Sequence, residues 1–265
     1  MSSSGTRDRI LEAARRLFHE QGYSATGIST ILREADVNPG SLYHFYPSKE
    51  ALLAGVLEYY VELLEPRIMG PARATSRDPI ERIFGLLRLY RDGLEASGCR
   101  MGCPIGNLAL EVADSHPEVR PLIDRNFRNW IGQVESWLVE GSDRLPPGTD
   151  FRQVAELVLT VMEGGIMQAR ASGDLGAFDG AVAQLRIYLD LLQAARQTPN
   201  QARTRARANK STRTSRGTRA ERIAGTRTGA KNKNSDKEAG PTCPRRIAPV
   251  PPFPGPETPS SRWRS

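Results

Sequence analysis

The stretch NPGSLYHFYPSKEALL, from Asn38 to Leu53, constrains the fold of this chain more than any other feature. Asn38 is a preferred helix N-cap and Pro39 a preferred first-turn residue. Pro47 disfavours a longer helix, so the helix that begins at Pro39 has only about two turns. A helix this short is not stable alone in water. Other helices must therefore pack against it, and its aromatic side chains must face a partner.

Apolar residues recur at helical spacing through the first 195 residues, and no stretch alternates as a strand would, so the sequence predicts an all-α protein. A segment rich in Pro, Gly, Ala and Arg predicts a loop before Asp78. The apolar stripes of the first two helices are Ile10, Ala14, Leu17 and Phe18, then Ile28, Ile31, Leu32 and Ala35. Further helices are predicted to begin near Ser48, Pro79, Pro104 and Pro117, and the last two to cover 151–171 and 177–195.

The net charge of +7 is distributed unevenly along the chain. Residues 201–265 carry 16 Lys/Arg against 4 Asp/Glu, whereas residues 1–200 carry 21 against 26. The basic residues, and the proline-rich PVPPFPGPETP after them, are too poor in large apolar side chains to form a core, so residues 198–265 are predicted to be disordered. Residues 201–237 would then be either a sequence-independent DNA-binding arm or a solvated tail without a role.

Several classes of protein are disfavoured by composition. No run reaches the 18 or so apolar residues of a membrane span, and MSSSGTRDR lacks the apolar core of a signal peptide, so we expect a cytoplasmic protein without membrane contact. Cys99, Cys103 and Cys243 form neither a disulfide framework nor, with only three histidines, a zinc site. We therefore expect no metal and no cofactor.

The short helix has two distinct sides. Leu42, Phe45 and Tyr46 share one face, which can pack on the first two helices. Two helices joined by a short turn, the second projecting outward, form a helix-turn-helix, predicted here at about residues 27–46. In such a unit the second helix enters the major groove with its N-terminal residues first.

Candidate DNA-binding residues follow from this arrangement. The outward side of the short helix carries Pro39, Gly40, Ser41, Tyr43 and His44. Ser48 and Lys49 begin the next helix, where free N–H groups and an ammonium suit a phosphate, and Thr26 and Ser29 would contact the DNA backbone. Each residue alone is explained more simply by packing or by a solvated helix start than by a DNA contact. Their combination at this spacing favours DNA binding.

Residues 7–53 closely resemble the N-terminal domain of the TetR family of bacterial transcriptional regulators. The resemblance lies in the first helix with Gly22 and Tyr23, in the second helix, and in the final GSLYHFYPSKEAL segment. Asp36 replaces the glycine usual in the turn, but aspartate tolerates a left-handed backbone better than most residues. The matching residues are Ile10, Ala13, Leu17, Phe18, Gly22, Tyr23, Thr26, Ile31, Ala35, Val37, Gly40, Ser41, Leu42, Tyr43, Phe45, Tyr46, Ser48, Lys49, Glu50 and Leu52.

The resemblance implies a DNA-binding domain over 4–64 and a helical ligand-binding and dimerisation domain over 65–197. The helices near 151–171 and 177–195 are apolar on most sides, which agrees with a four-helix dimer interface. The alternative is a monomer in which residues 1–66 or the loops cover them. The expected partners are a double-stranded DNA operator, a small-molecule effector and a second copy of the chain.

A second motif, GCRMGCPIGNLALEVAD, resembles one subgroup of this family, whose members respond to reactive electrophiles or to aromatic compounds. Cys103 precedes Pro104, so a helix N-terminus could lower its pKa and make it a sensor thiol, with Cys99 as a resolving partner. The alternative is that Cys103 only fills a gap in the core. A ligand pocket could also be lined by Met101, Phe127, Trp130, Trp137, Met162 and Met167. Spacing alone does not separate pocket wall from core, and an aromatic stripe at helical period is more often core.

The sequence thus predicts a dimeric transcriptional regulator of the bacterial nucleoid, most simply a repressor of a palindromic operator. The alternative is a non-specific nucleic-acid or chromosome-binding protein led by the basic tail. An enzyme built on Cys103 is disfavoured because no histidine (His19, His44 or His116) is an evident base for it.

Overall fold

Helices make up the whole fold in the computed structural model, which describes residues 3–196. Within this range there are ten α-helices and no strand, so the predicted all-α class is confirmed. Short 3-10 turns lie at Pro117–Val119 and Ser142–Arg144. The α-helices are α1 (Ser3–Gln21), α2 (Ile28–Ala35), α3 (Pro39–Phe45), α4 (Lys49–Leu64), α5 (Gly70–Ala74), α6 (Pro79–Ala96), α7 (Pro104–Val112), α8 (Arg120–Glu140), α9 (Phe151–Ser172) and α10 (176–196).

The helix boundaries follow from capping chemistry. Asn38 accepts a hydrogen bond from the N–H of Ser41 at 2.8 Å, which caps α3 just before its first-turn proline. Asp78 caps α6 in the same way, accepting from the N–H of Ile80 at 2.9 Å. The turn after α2 is closed by Asp36, whose left-handed φ of 51° confirms the expectation that aspartate can replace glycine there.

The apolar face of the short helix α3 packs against the neighbouring helices. α1 contacts α2, α3 and α4, and the side chains of Leu42 and Tyr46 are buried in the core that these helices share. The ring of Tyr46 packs against α4 at Gly55, where an added Cβ would lie only 2.8 Å from Cε1. These contacts fix the direction in which α3 projects.

The predicted loop before Asp78 is wrong in its first part, because the chain remains helical from Glu65 to Ala74. Pro66 has no N–H to donate to the preceding turn, and the chain passes through a π-helical segment, Glu65–Met69, before α5 begins. Met69 and Ala72 are buried against the core, so packing compensates for the irregular turn.

α8 is the central helix of the larger part of the fold and packs against α4, α6, α7 and α9. It begins at Arg120 rather than at Pro117, because the predicted first-turn proline opens a 3-10 turn instead. One continuous core joins these helices to α1–α4. The domain boundary predicted near residue 64 therefore lies within a compact unit and stays a prediction.

The last helix, α10, contacts α6 and α9. Arg186 donates to both carboxylate oxygens of Glu81, at 2.8 and 3.0 Å. Phe178 is buried where α9 carries Gly165, and a Cβ on that glycine would lie 2.9 Å from the phenylalanine ring. Within residues 3–196, no helix is both long and apolar enough to cross a membrane.

Candidate nucleic-acid interface and cavity

The outward edge of α3 presents the residues that the sequence assigns to DNA. Pro39, Gly40 and His44 are exposed, and 51% of Tyr43 is accessible although it is a large aromatic residue. The His44 ring packs edge-on against Phe45, with 4.9 Å between centroids, which limits its rotation. An exposed tyrosine and an oriented imidazole on one short helix offer hydrogen-bonding groups and an aromatic face to a groove.

Ser41 is half-buried in the first turn of α3, and Ser29 is exposed at the start of α2. Both sit near a helix N-terminus, where free N–H groups favour a phosphate. The contacts of these two residues with DNA stay predictions.

Thr26 does not fit the role expected of it. Its side chain is completely buried, and its hydroxyl lies 2.7 Å from the carbonyl oxygen of Gly22 and 3.3 Å from that of Leu17. The hydroxyl therefore stabilises the turn between α1 and α2 and is not available to a phosphate. The amphipathic pattern could not reveal this, because the partners are backbone carbonyls.

Ser48 and Lys49 begin α4, as predicted. Ser48 caps the helix by accepting from the N–H of Ala51 at 3.1 Å. The Lys49 ammonium donates to the carbonyl oxygen of Tyr23 at 2.6 Å and lies 4.1 Å from the centre of that ring. Burial lowers the pKa of Lys49, opposed by the carboxylates of Glu111 and Glu50. In this arrangement the ammonium stabilises the α1–α2 turn, and a phosphate contact would have to share or replace that bond.

A cavity of about 770 Å³ lies between the DNA-binding helices and the rest of the fold. Its floor comes from α1, its walls from α4, α6, α7, α8 and α9, and its lining is mainly aromatic and aliphatic. Pockets of this volume and character commonly hold small molecules. The lining residues are Asp8, Glu12, Arg15, His19, Tyr59, Tyr60, Leu63, Leu64, Arg67, Ile68, Tyr90, Cys103, Pro104, Ile105, Asn126, Phe127, Trp130, Leu159, Met162 and Glu163.

The cavity contains only part of the predicted pocket. Cys103, Phe127, Trp130 and Met162 lie in its wall. The other candidates, Cys99, Met101, Trp137 and Met167, are not among the residues that line it, and Met167 is 58% exposed on α9. Helical spacing could not distinguish these cases, because it gives the buried face of a helix but not the position of an internal space.

The thiol of Cys103 differs from the predicted sensor thiolate. Cys103 is the N-cap of α7, but burial raises the pKa of its thiol well above its usual value, and the neighbouring carboxyl of Glu163 raises it further. Backbone N–H groups of Gly106 and Ile105 lower the pKa by less. The expectation of a lowered pKa is therefore wrong: desolvation and a nearby acid outweigh the helix N-terminus. Cys99 is also a buried free thiol, but it lies outside the cavity.

Glu163 and Tyr90 are polar residues of the cavity that the sequence pattern does not identify. Burial raises the pKa of the Glu163 carboxyl, and within the described residues its Oε1 atom is buried without a hydrogen-bond partner. The hydroxyl of Tyr90 accepts a hydrogen bond from the Trp130 indole at 3.1 Å. A molecule in the cavity thus meets aromatic walls and an unpaired carboxyl oxygen. The sequence signal for Glu163 is a glutamate that directly follows the apolar run LVLTVM in α9.

Exposed apolar side chains concentrate on the last two described helices. Leu157 and Met167 on α9, and Ile187, Tyr188 and Leu191 on α10, are each at least 39% exposed. These two helices cover the segments predicted to form the dimer interface. In residues 3–196 no group of three or more His, Cys, Asp or Glu residues is placed to hold a metal ion. The basic arm predicted at 201–237 and the disorder predicted for 198–265 lie outside the described residues.

Two family models match the chain. Residues 10–56 match bacterial regulatory proteins, tetR family, and residues 79–185 match the tetracyclin repressor-like, C-terminal domain. The first match spans the helix-turn-helix, and the second spans α6–α9 with part of α10. The narrower subgroup suggested by GCRMGCPIGNLALEVAD stays a prediction.

Individual relatives agree with these matches. The uncharacterized HTH-type transcriptional regulator YxaF of Bacillus subtilis is 31% identical over 176 residues, covering 66% of this chain and 90% of the relative. The HTH-type transcriptional repressor NemR of Escherichia coli is 25% identical over 183 residues, covering 68% and 92%. The crystal structure of NemR in its reduced form superposes with a TM-score of 0.59 at 26% identity, covering 68% and 95%.

Proposed function

Because this chain belongs to the tetR family of bacterial regulatory proteins, we propose that it is a homodimeric repressor that releases a palindromic operator when an effector binds in its cavity. Family membership makes it a DNA-binding transcriptional regulator and not an enzyme. The operator symmetry, the effector and the direction of regulation are the proposed parts.

The observation that carries the proposal is the position of the cavity relative to α3. Helix α1 forms the floor of the cavity and also packs against α2, α3 and α4. A molecule that alters α1 or α7 would therefore alter the direction of the recognition helix. In a symmetric dimer, two such helices must sit about 34–36 Å apart, or a multiple of that, to reach successive major grooves. A change in that separation releases DNA.

Selection from a pool of random-sequence duplexes, followed by footprinting, tests the DNA-binding part. The expected result is a two-fold symmetric footprint with one half-site per protomer. Binding without sequence preference would contradict the proposal and favour the chromosome-binding alternative.

Tyr43→Ala and Tyr43→Phe provide matched variants on the selected duplex. Tyr43→Ala should weaken binding roughly tenfold or more, as the loss of a base or phosphate contact does, and should leave folding intact because the side chain is exposed. Tyr43→Phe separates the hydroxyl from the ring. Unchanged affinity and selectivity in Tyr43→Ala would remove α3 as the recognition helix.

For the effector, the arrangement favours a reversibly bound molecule over covalent modification of Cys103. A thiol whose pKa is raised is mostly protonated at neutral pH and reacts slowly with electrophiles. Mass spectrometry after treatment with a maleimide or a quinone decides between the two modes. Absence of an adduct at Cys103 in the folded protein, together with release of DNA by a non-electrophilic compound, would establish reversible binding. Rapid adduct formation at Cys103 would establish the electrophile-responsive mode.

The contribution of the basic tail can be separated from that of the helix-turn-helix. Each lysine or arginine near a phosphate steepens the dependence of affinity on salt. A protein truncated to residues 1–198 should keep its selectivity, and its salt dependence should become shallower if the tail is a DNA arm. An unchanged slope would show that the tail does not contact DNA.

A further inference from the structure

Helix α7 touches the cavity at one end and the DNA-binding helices at the other. Cys103, Pro104 and Ile105 at its N-terminus line the cavity. Glu111, in its last turn, lies about two helical turns, or roughly 12 Å, further along at 1.5 Å per residue. A helix of nine residues between two such contacts can transmit a displacement from the first to the second.

The contact at Glu111 is made to backbone N–H groups of the turn between α1 and α2. Its carboxylate accepts from the N–H of Tyr23 at 2.9 Å and from the N–H of Ser24 at 2.7 Å. Gly22 makes the close approach possible, because a Cβ at its position would lie 3.1 Å from a carboxylate oxygen, and its φ of +88° suits glycine. Bonds from N–H groups to a carboxylate are stronger than those between neutral groups.

The same turn is also held by α4. The Lys49 ammonium donates to the carbonyl oxygen of Tyr23. The N–H of Tyr23 is therefore bound by a carboxylate and its carbonyl oxygen by an ammonium. His116 contacts the Tyr23 ring edge-on, with 5.2 Å between centroids. Lys49 begins the helix that follows the recognition helix α3. The turn thus joins α7 directly to the elements that aim α3.

A second contact fixes the start of α7 relative to α1. The His19 Nε2 atom lies 2.7 Å from the carbonyl oxygen of Gly102, and His19 is itself a cavity residue. Both ends of α7 therefore meet the end of α1 and its following turn. The GNLALEV segment of the second sequence motif contributes Glu111 to this contact.

We propose that Glu111 is the positioning residue that couples the cavity to DNA binding. This proposal rests on the function proposed above. An occupant that displaces the N-terminal end of α7 withdraws the Glu111 carboxylate from the Tyr23–Ser24 turn. The turn then loses its restraint, α2 and α3 change direction, and the operator is released. Without an occupant, Glu111 holds the DNA-binding conformation.

Hydrogen exchange in the full-length protein tests the coupling without DNA or an identified effector. Glu111→Gln should speed exchange of the Tyr23 and Ser24 amides at least about tenfold, which corresponds to about 1.4 kcal/mol. Cys103→Phe places a bulky group at the cavity end of α7 as a substitute for an occupant and should have the same effect. Ile105→Phe replaces it if Cys103→Phe does not fold.

The double variant decides whether the two positions act through one contact. If Glu111 transmits the displacement, Cys103→Phe combined with Glu111→Gln should exchange no faster at the turn than either single variant. Glu118→Gln is the matched control, because Glu118 lies 3.4 Å from the His116 ring nitrogen but does not bond to the turn. It should leave exchange at Tyr23 and Ser24 unchanged.

Two outcomes would overturn the proposal. One is normal protection of the turn in Glu111→Gln, and the other is full additivity of the two substitutions. Affinity for the selected duplex gives an independent measurement. Glu111→Gln alone should weaken binding about tenfold relative to the wild type. Added to Cys103→Phe, it should weaken binding little further. If the wild type selects no duplex, the proposed function fails, while the exchange experiment still decides whether Glu111 couples α7 to the turn.

Discussion

At the scale of single residues, Thr26 and Ser29 show that neighbouring hydroxyls can have opposite roles. Thr26 is fully buried and its hydroxyl bonds to backbone carbonyls, whereas Ser29 is exposed at the first turn of α2. Both belong to the segment expected to contact the DNA backbone. Only the three-dimensional position separates a structural hydroxyl from one that a phosphate can reach.

Thr26→Val keeps the shape of the side chain and removes its hydroxyl, so we expect it to lower the free energy of unfolding by about 1–3 kcal/mol. Ser29→Ala should change that energy by less than about 0.5 kcal/mol and weaken operator binding. Chemical denaturation and DNA titration of both variants check this. A stable Thr26→Val protein with weakened DNA binding would instead make Thr26 a contact residue.

Glu163 predicts a specific dependence of stability on pH. Burial raises the pKa of its carboxyl in the folded protein, so the folded state favours the protonated form. The contribution of this carboxyl to folding stability is fully present below its ordinary pKa of 4.5. That contribution is lost as the pH rises through the pKa of the carboxyl in the folded protein. Glu163→Gln cannot ionise, so its free energy of unfolding relative to the wild type should increase from pH 4 to pH 8.

Thermal denaturation of both proteins across this pH range measures the difference. Glu62→Gln, at an exposed position on α4, is the matched control and should show no such trend. A difference that stays constant with pH would mean that Glu163 has the same pKa in the folded and unfolded protein.

At the scale of helices, α3 depends on its first residues because it contains only seven. Asn38→Ala removes the cap on Ser41 and should lower the free energy of unfolding by about 0.5–2 kcal/mol. Asn38→Ser retains a capping oxygen and should preserve stability. Guanidinium denaturation compares the two, and equal loss in both would show that the cap is dispensable.

A helix boundary could be predicted from the sequence where neighbouring residues determine it, and could not where distant contacts determine it. Asn38–Pro39 and Asp78–Pro79 carry their own helix-start chemistry, so α3 and α6 begin where the sequence indicates. The composition before Asp78, rich in Pro, Gly, Ala and Arg, predicts a loop, but residues 65–74 are helical, with Met69 and Ala72 buried by packing. That packing is a tertiary contact with the neighbouring helices α4 and α6, which the residue pattern of this segment does not show. The bond from Tyr23 to Glu111, 88 residues apart, is hidden for the same reason.

At the scale of the whole molecule, the exposed apolar faces of α9 and α10 predict the association state. Leu191→Glu places a charge on a side chain that is 64% exposed, and in a dimer interface that charge would be buried without a partner. The dimer dissociation constant should rise at least about a hundredfold, or about 2.7 kcal/mol. Analytical ultracentrifugation measures this constant directly.

Val139→Glu is the matched substitution outside the proposed interface, on a residue of α8 that is 52% exposed. It should leave the dissociation constant unchanged. If both variants remain dimeric, the interface lies elsewhere, and if both become monomeric, a charge on any exposed apolar residue disturbs the fold.

Helix α1 serves the cavity through Asp8, Glu12, Arg15 and His19 and supports α3 through its opposite face. Substitutions on this floor would therefore alter operator affinity together with effector choice. Natural drift toward new effectors should accordingly be concentrated in the walls supplied by α8 and α9. A designer who wishes to retune this regulator as a biosensor should likewise randomise Phe127, Leu159 and Met162 and leave the floor untouched.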